Sequence, residues 1–395
     1  MNQTILIIWN EGWACQIDAF KINRVPFDLY VGYNFGCSFD SYRHIFYNYR
    51  SFWNDQSNEE VKSVATYVSN IIKKNNYDYI FPTFVDKYIE YWAYQNEKFN
   101  LKGIKPSSAQ HLKSKNRYYK ILKEQEISVP VIYGIIEEYK NIKNLQFPLI
   151  CKPIQGTGSE GIKICFDNKD LETFLNDNQE FFPYIIQEYI EGTTVCVIGH
   201  IVNGRTVIDL IYDIETSSSP YCVETGFTFP SKFNYIEKLI QKDIDRFAKF
   251  IGLDDSPFML DVIIDKQGKY FFIDFGARIS VSIYRLMYYL DNADYFYNLA
   301  NRILNGIDFS VKKEKSYICR HIILNSGQIK SITYKNLEGI VDYNLPKVGD
   351  IIIECKNDFD TALQNYFVIS VGDSIEEAEL NYIDFKNSIE VVYQS

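Results

Sequence analysis

Several patterns that mark common protein classes are missing from this chain of 395 residues. No apolar run approaches the ~20 residues of a membrane-spanning helix, so we expect no membrane contact. The 8 cysteines form no Cys-x-x-Cys pair, which argues against a structural zinc site and against a disulfide framework. None of the 4 histidines has the spacing of metal ligands, and each is predicted to be structural: His44, His111, His200 and His321.

Acidic residues outnumber basic residues. The chain has 41 Lys and Arg against 51 Asp and Glu, a formal net charge of −10, whereas a nucleic-acid-binding protein would show a basic face. We therefore expect no nucleic-acid partner. The first residues lack the basic start and the small-residue cleavage site of a signal peptide, and the scattered cysteines look like reduced thiols. Both features predict a cytoplasmic location.

Strand and helix patterns alternate along residues 1–112. Strands are predicted at Ile5–Trp9, Phe27–Val31 and Tyr79–Phe84, and a helix is predicted over Glu59–Lys74. Such alternation implies a parallel sheet covered by helices. Because no Gly-x-Gly-x-x-Gly follows the first strand, no nicotinamide site is predicted here.

The stretch Phe147–Gly161 combines a short apolar strand, Leu149–Cys151, with a lysine and a glycine-rich turn. Lys152 comes directly before the turn, whose glycines are Gly156, Gly158 and Gly161. Backbone N–H groups of such a loop can surround phosphate oxygens, while the ammonium group neutralises their charge. Since the lysine precedes the glycines, this is neither the common phosphate loop nor the dinucleotide fingerprint. Read alone, the stretch is equally typical of a plain hairpin loop.

Two hairpins are predicted further along. Val195–Val202 and Thr206–Tyr212 flank the turn residues Asn203–Gly204, and Phe258–Ile264 precedes Tyr270–Phe275. The second hairpin carries one aspartate on each arm.

These aspartates, Asp261 and Asp274, are candidate ligands of a metal ion. Two carboxylates that face bound phosphates are a usual way to hold Mg²⁺. The alternative is that both are solvent-facing strand residues. Their apolar neighbours favour the metal, because a carboxylate in an apolar run is rarely left without a partner.

Two further segments complete the pattern. Arg278 follows Asp274 after Phe275-Gly276-Ala277, where a fixed guanidinium group could hold a carboxylate or a phosphate, or could form a structural salt bridge. The segment Gln187–Gly192 joins an apolar strand to a turn. Its backbone could meet the edge of an adenine ring, or the segment could be a simple connector.

Taken in this order, the segments resemble the ATP-grasp superfamily in its carboxylate–amine ligase branch. The resemblance implies an α/β fold with α+β subdomains. Residues 1–112 would form a Rossmann-like domain, and residues 113–309 a two-lobed ATP-grasp domain with lobes of about 113–185 and 186–309. Residues 310–395 would form a small strand-rich C-terminal α/β domain.

The resemblance also implies a role for each motif residue. Lys115, which opens a helix, and Lys152 match the two nucleotide lysines, while Glu188 and Ile190 match the positions whose backbone meets adenine. Asp261 and Asp274 match the Mg²⁺ ligands, and Arg278 joins Lys152 as catalytic. The nucleotide-binding residues so implied are Lys115, Lys152, Gly156, Thr157, Gly158, Ser159, Gly161, Gln187, Glu188, Tyr189, Ile190 and Glu191.

Three positions depart from the family pattern. Gly276 stands where an asparagine usually contacts a second Mg²⁺, and both metal acids are Asp rather than Glu. Thr194 stands where a glutamate usually binds the ribose, a contact that Glu191 could supply instead.

The implied activity is an ATP-dependent ligase that uses Mg²⁺, or Mn²⁺ in its place. It would join a carboxylate to an amine, amino acids or peptides, through an acyl phosphate. A homodimer is compatible with the resemblance. The alternatives are an ATP-binding module without turnover, a kinase or a carboxylase. A biotin-dependent carboxylase is disfavoured, since the chain has no biotinyl-lysine segment.

Overall fold

The computed structural model describes residues 5–9, 27–31, 45–47, 69–70, 72–74, 77–82, 89–137, 145–155, 159–217, 222–279, 284–291, 295–335, 337–355, 364 and 366–394. Of the helix predicted over Glu59–Lys74, the described residues 69–70 and 72–74 are helical. The predicted loop residues Gly156, Thr157 and Gly158 lie outside the described residues.

The first sheet is parallel, as predicted. Its strands are β1 (Ile5–Trp9), β2 (Phe27–Val31), β3 (Ile45–Tyr47) and β4 (Tyr79–Phe81). The spatial order is β3-β2-β1-β4, and each neighbouring pair runs in the same direction. Strand β4 ends three residues before the predicted end at Phe84, and helix α1 (Ile89–Lys98) follows it.

The second sheet is antiparallel and carries the strand that leads into the glycine loop. Its strands are β5 (Ile132–Ile136), β6 (Leu149–Pro153), β7 (Lys163–Cys165) and β8 (Tyr184–Glu188), in the order β5-β8-β6-β7. Three helices belong to this part of the chain: α2 (Pro106–Leu112), α3 (Lys115–Glu124) and α4 (Asn168–Asp177). All five residues of β6 are buried, so the apolar run is an interior strand, as its composition predicts.

The largest sheet has eight antiparallel strands. Five of them come before residue 310 in the sequence and three come after it. The eight strands are β9 (Gly192–Val202), β10 (Arg205–Thr216), β11 (Glu224–Phe229), β12 (Ser256–Asp265), β13 (Tyr270–Gly276), β14 (Ser316–His321), β16 (Ile340–Asn344) and β18 (Phe367–Gly372). Their order is β13-β12-β9-β10-β11-β14-β18-β16. The sheet is therefore continuous between the regions predicted as the large lobe and the C-terminal domain, and the proposed boundary between them stays a prediction.

The described elements also include a three-stranded sheet and four further helices. The strands are β15 (Gly327–Thr333), β17 (Ile351–Ile352) and β19 (Glu390–Tyr393), in the order β17-β15-β19. The helices are α5 (Glu237–Ile251), α6 (Tyr284–Asp291), α7 (Tyr295–Asn305) and α8 (Ile375–Asn387). None of the helices within the described ranges is long and apolar enough to cross a membrane.

The side chains of strand β9 pack into hydrophobic cores on both faces of the large sheet. Successive side chains of a strand point to opposite faces, so its odd and even residues enter different cores. Val195 and Val197 pack in the cluster that includes Phe247 of α5, whereas Cys196 and Ile198 pack with residues of α6 and α7. Both faces are thus buried, which agrees with the nearly unbroken apolar sequence of this strand.

The turn between β9 and β10 has the geometry that its sequence demands. Asn203 and Gly204 both adopt left-handed backbone conformations, with φ of 54° and 68°. An Asn-Gly pair accepts such angles at little cost, and they match the twist of a two-residue hairpin. The predicted first hairpin is therefore confirmed, with a tight turn.

Candidate active site

The two predicted metal ligands are cross-strand partners. Asp261 of β12 lies directly opposite Asp274 of β13 in the register of the hairpin. Side chains in such a pair have Cβ atoms about 5 Å apart, and like charges in this arrangement repel each other. A bound cation would relieve that repulsion, so the donor set suits a hard metal ion.

The protein supplies few ligands for such an ion. In the described part of the chain, no group of three or more His, Cys, Asp and Glu residues could hold a metal. Mg²⁺ is often bound by one or two carboxylates together with substrate phosphates and water. Asp261 and Asp274 therefore fit Mg²⁺ bound together with a polyphosphate better than a metal held by protein alone.

Lys115 lies at the start of α3, as predicted, and faces the same carboxylates. Its Nζ is 4.0 Å from Oδ2 of Asp274, and its backbone N–H donates to the carbonyl of Ile154 at 3.1 Å. This backbone bond attaches the first turn of α3 to the residue that follows β6. The helix start is thus held beside the strand that carries the second lysine.

Lys152 is the more buried of the two lysines, with 7% of its surface exposed. Burial lowers the pKa of its ammonium group, and the neighbouring cation of Lys115 lowers it further. The carboxylates of Asp274 and Asp261 and the thiol of Cys222 oppose this shift. The structure thus brings the four predicted charged residues into one cluster.

The predicted adenine-binding segment begins at the end of β8. Glu188 is held by Val131, because its N–H donates to the Val131 carbonyl at 2.8 Å and its Oε2 accepts the Val131 N–H at 3.2 Å. Gln187 is fully buried and Ile190 is buried, while burial raises the pKa of Tyr189. The segment is therefore anchored to β5, next to the lysine cluster.

Glu191 lies on the surface of the protein. Its Oε2 lies 2.8 Å from Nζ of Lys266 in the turn of the β12–β13 hairpin, and both side chains are exposed. The suggestion that Glu191 replaces the ribose-binding glutamate stays a prediction.

The end of the glycine loop is conformationally demanding. Ser159 and Gly161 both have left-handed backbone angles, with φ of 57° and 67°. A Cβ atom at Gly161 would lie 2.9 Å from Phe181 Cγ and 2.9 Å from Pro153 Cγ, closer than real Cβ contacts. Glycine is therefore required at this end of the loop for both backbone and packing reasons.

Arg278 lies two residues after the end of β13 and is buried, with 8% of its surface exposed. Its Nη1 lies 2.7 Å from Sδ of Met259 and 3.4 Å from the carbonyl of Ile279. Met259 is the cross-strand partner of Gly276, so the guanidinium group lies next to the departure from the family pattern. The guanidinium group thus contacts β12 through Met259 and the residue that follows Arg278 in the chain.

Several residues near the cluster were not predicted from the sequence. Tyr119 of α3 donates its hydroxyl to the carbonyl of Ile273 at 2.7 Å and so fixes the residue before Asp274. Cys196 of β9 pairs with Asp261 across the strands, and burial followed by that carboxylate raises the pKa of its thiol. The apolar spacing of α3 was the available signal for Tyr119. The sequence carries no signal for Cys196 beyond its place in an apolar strand.

Residues 112–282 match a family model described as an ATP-grasp domain. This stretch of the chain is thus similar to an ATP-grasp domain. This confirms the predicted resemblance and the predicted fold class.

Known proteins extend this finding. A carbamoyl-phosphate synthase of Methanobrevibacter smithii is 24% identical over 156 residues, which are 36% of this chain and 39% of that protein. An L-amino acid ligase of Bacillus licheniformis has a TM-score of 0.81 at 16% identity, with 100% of this chain and 99% of that chain covered. The biotin carboxylase domain of a Hydrogenobacter thermophilus 2-oxoglutarate carboxylase, a dimer in complex with MgADP and bicarbonate, has a TM-score of 0.69. Its identity is 16%, with 99% of this chain and 90% of that chain covered.

The chain thus spans about two fifths of the curated relative's length. At these identities, the structural likeness shows the fold, and it extends over nearly the whole of this chain.

Proposed function

We propose that this protein is an ATP-dependent ligase that joins a carboxylate to an amine. The observation that carries the proposal is the charge cluster around Lys152, where two lysines face two cross-strand aspartates. Such an arrangement complements a polyphosphate together with a divalent cation. The family match and the likeness to an L-amino acid ligase support the same interpretation.

The reaction would proceed in two steps. A carboxylate oxygen of the first substrate attacks the γ-phosphorus of ATP, which forms an acyl phosphate and releases ADP. The nitrogen of the amine then attacks the acyl carbon, phosphate leaves, and the nitrogen loses a proton. The product is an amide, and an amino acid or a short peptide would fit either substrate role.

The chain's own residues would act by position and charge. Lys115 and Lys152 would hold the phosphates, and Arg278 would hold the substrate carboxylate in a bidentate manner. Asp261 and Asp274 would hold Mg²⁺, or Mn²⁺ in its place, and the bound ion would neutralise charge on the phosphates. Preorganised charges of this kind need no reorganisation during the reaction.

A silent ATP-binding module is the main rival, because Gly276 and Thr194 depart from the family pattern. Such a module would need the lysines but would have no evident need for an arginine fixed at the exit of the hairpin. The buried position of Arg278 next to Met259 therefore favours turnover.

The test is a screen for ADP release with amino acids, singly and in pairs, in the presence of hydroxylamine. We expect ADP release that depends on a carboxylate, and an activated acyl group that is trapped as a hydroxamate. Arg278→Ala should lose both signals and keep ATP binding. Arg246→Ala, which removes an arginine that pairs with Asp243 at 2.6 Å, serves as the matched control and should keep them.

Tight binding of Mg-ATP with no carboxylate-dependent ADP release across the screen would contradict the ligase and support the silent module. Phosphorylation of a hydroxyl substrate without amide formation would instead indicate a kinase.

A further inference from the structure

One cavity is lined by residues other than those of the lysine–aspartate cluster. Its volume is about 570 Å³, within the range of about 300–1,000 Å³ that is usual for small-molecule sites. It is open to solvent on one side and is lined by the end of β14, by α8 and β19, and by Ser217 and Thr225, which flank the β10–β11 connection. Its lining includes neither lysine of the cluster, neither aspartate and not Arg278.

The charge of this cavity is opposite to that of the chain as a whole. The chain carries ten more acidic than basic residues, yet the described lining contains Arg320, His321 and Lys386 and neither Asp nor Glu. Such a lining favours an anionic group on the ligand.

Arg320 and Lys386 differ in how far neighbouring carboxylates neutralise their charges. Nη2 of Arg320 lies 3.3 Å from Glu215 and 3.4 Å from Glu379. Neither glutamate belongs to the lining, and together they neutralise the charge of Arg320. Nζ of Lys386 lies 5.9 Å from the centre of the Tyr382 ring, and no carboxylate in the described ranges lies within ion-pair distance of it. Lys386 is therefore the cation best able to pair with a ligand.

The rest of the lining is largely apolar. Two tyrosine rings and a set of aliphatic side chains surround the cations: Tyr382, Tyr393, Ile322, Ile323, Leu324, Ile389 and Val391. Ile323 is 58% exposed, which places apolar surface at the edge of the cavity. An apolar body on the ligand would cover this surface.

We propose that this cavity binds a small carboxylate with an apolar body and without an ammonium group. The carboxylate pairs with Lys386, and the body packs on the aliphatic and tyrosine side chains. Because the lining lacks a carboxylate, a free amino acid would bring an uncompensated ammonium group. The site therefore discriminates between an apolar carboxylic acid and the amino acid of the same skeleton.

Three probes with one carbon skeleton test the proposal: 4-methylpentanoate, 4-methylpentanamide and L-leucine. Each is titrated by ligand-observed NMR against the whole chain without nucleotide. We expect 4-methylpentanoate to bind most tightly, and both the amide and leucine to bind about fivefold or more weakly. Lys386→Gln should weaken binding of the carboxylate about fivefold and leave the amide unchanged.

Two further variants locate the signal. Lys330→Gln, at an exposed lysine of β15 outside the lining, should leave all three affinities unchanged. Ile323→Asn should weaken the carboxylate and the amide alike, because it removes apolar contact from both.

Equal affinity for the carboxylate and its amide would overturn the proposal, as would the absence of binding by 4-methylpentanoate. A signal that Arg278→Ala abolishes and Lys386→Gln keeps would assign the binding to the proposed ligase site and would also overturn it. Failure of the ligase proposal leaves this test intact, since no turnover or nucleotide is involved.

Discussion

Replacing Lys152 with methionine should have opposite effects on the free protein and on nucleotide binding. In the free protein, the ammonium group is buried and lies near the cation of Lys115, and both features lower its pKa. Methionine has a similar unbranched shape without the charge. Lys152→Met should therefore raise the melting temperature of the nucleotide-free protein.

The sign of this effect follows from the shift in pKa. A lysine with a lowered pKa in the folded state costs stability at pH values below that pKa, because the unfolded chain binds the proton more readily. The cost fades as the pH rises from the folded-state pKa toward the ordinary lysine value. The gain in melting temperature for Lys152→Met should thus be largest near neutral pH and should shrink at high pH.

The effect on ATP affinity should be a loss. A hydrogen bond to a charged group contributes about 1.5–3 kcal/mol, so binding of Mg-ATP should weaken about 10- to 150-fold. Calorimetry measures the affinity, and circular dichroism measures the melting temperature. Lys120→Met, at a lysine of α3 that is 77% exposed, is the control and should change neither quantity much.

The result that would refute this reasoning is specific. Unchanged ATP affinity would remove Lys152 from the nucleotide site, and a lowered melting temperature near neutral pH would mean that its charge is compensated in the free protein.

Three further predictions concern the same cluster and the core behind it. Asp274→Asn should lower ADP release about 100-fold with an unchanged circular dichroism spectrum, and near-normal turnover would exclude Asp274 as a metal ligand. ATP binding should raise the lowered pKa of Lys152, so affinity should fall as the pH rises through the value in the free protein; calorimetry in two buffers should detect proton uptake. Tyr295→Phe removes a 2.8 Å hydrogen bond to buried Asp209 and should lower the free energy of unfolding by about 1–3 kcal/mol, while ATP affinity stays unchanged.

Local sequence signals predicted the parts of the site whose geometry is local. The turn and the alternating apolar residues of the hairpin predict that Asp261 and Asp274 lie at the same end of the sheet. Their direct pairing also depends on a shift of register between Asp261 and Val262, which spacing does not predict. The same holds for Lys115 at the start of a helix and for Lys152 at the end of a buried strand. Each position depends on a single element or on one hairpin.

Contacts between distant elements could not be predicted in this way. The bond from Tyr119 to the Ile273 carbonyl joins α3 to β13 across 154 positions in the sequence. The continuation of the large sheet through β14 and β18 depends on pairing between strands that no turn connects. One sequence without an alignment carries no record of such long-range contacts.

The four charged residues of the cluster gain a common explanation only when their energies are considered together. Burial and the cation of Lys115 lower the pKa of Lys152, and Asp261 and Asp274 face each other as like charges. Each pair of like charges alone is unfavourable.

Bound ligands would relieve both repulsions. A polyphosphate neutralises the lysines, and a divalent cation neutralises the aspartates, while the phosphates and the cation also neutralise each other. The arrangement is therefore most stable when the polyphosphate and the cation are both bound. We expect nucleotide and Mg²⁺ to bind cooperatively. By thermodynamic linkage, each should increase the affinity of the other by the same factor. Calorimetric titration of ATP with and without Mg²⁺, and of Mg²⁺ with and without ATP, measures this factor after correction for the Mg-ATP complex in solution. Independent binding would mean that the two pairs do not share one ligand.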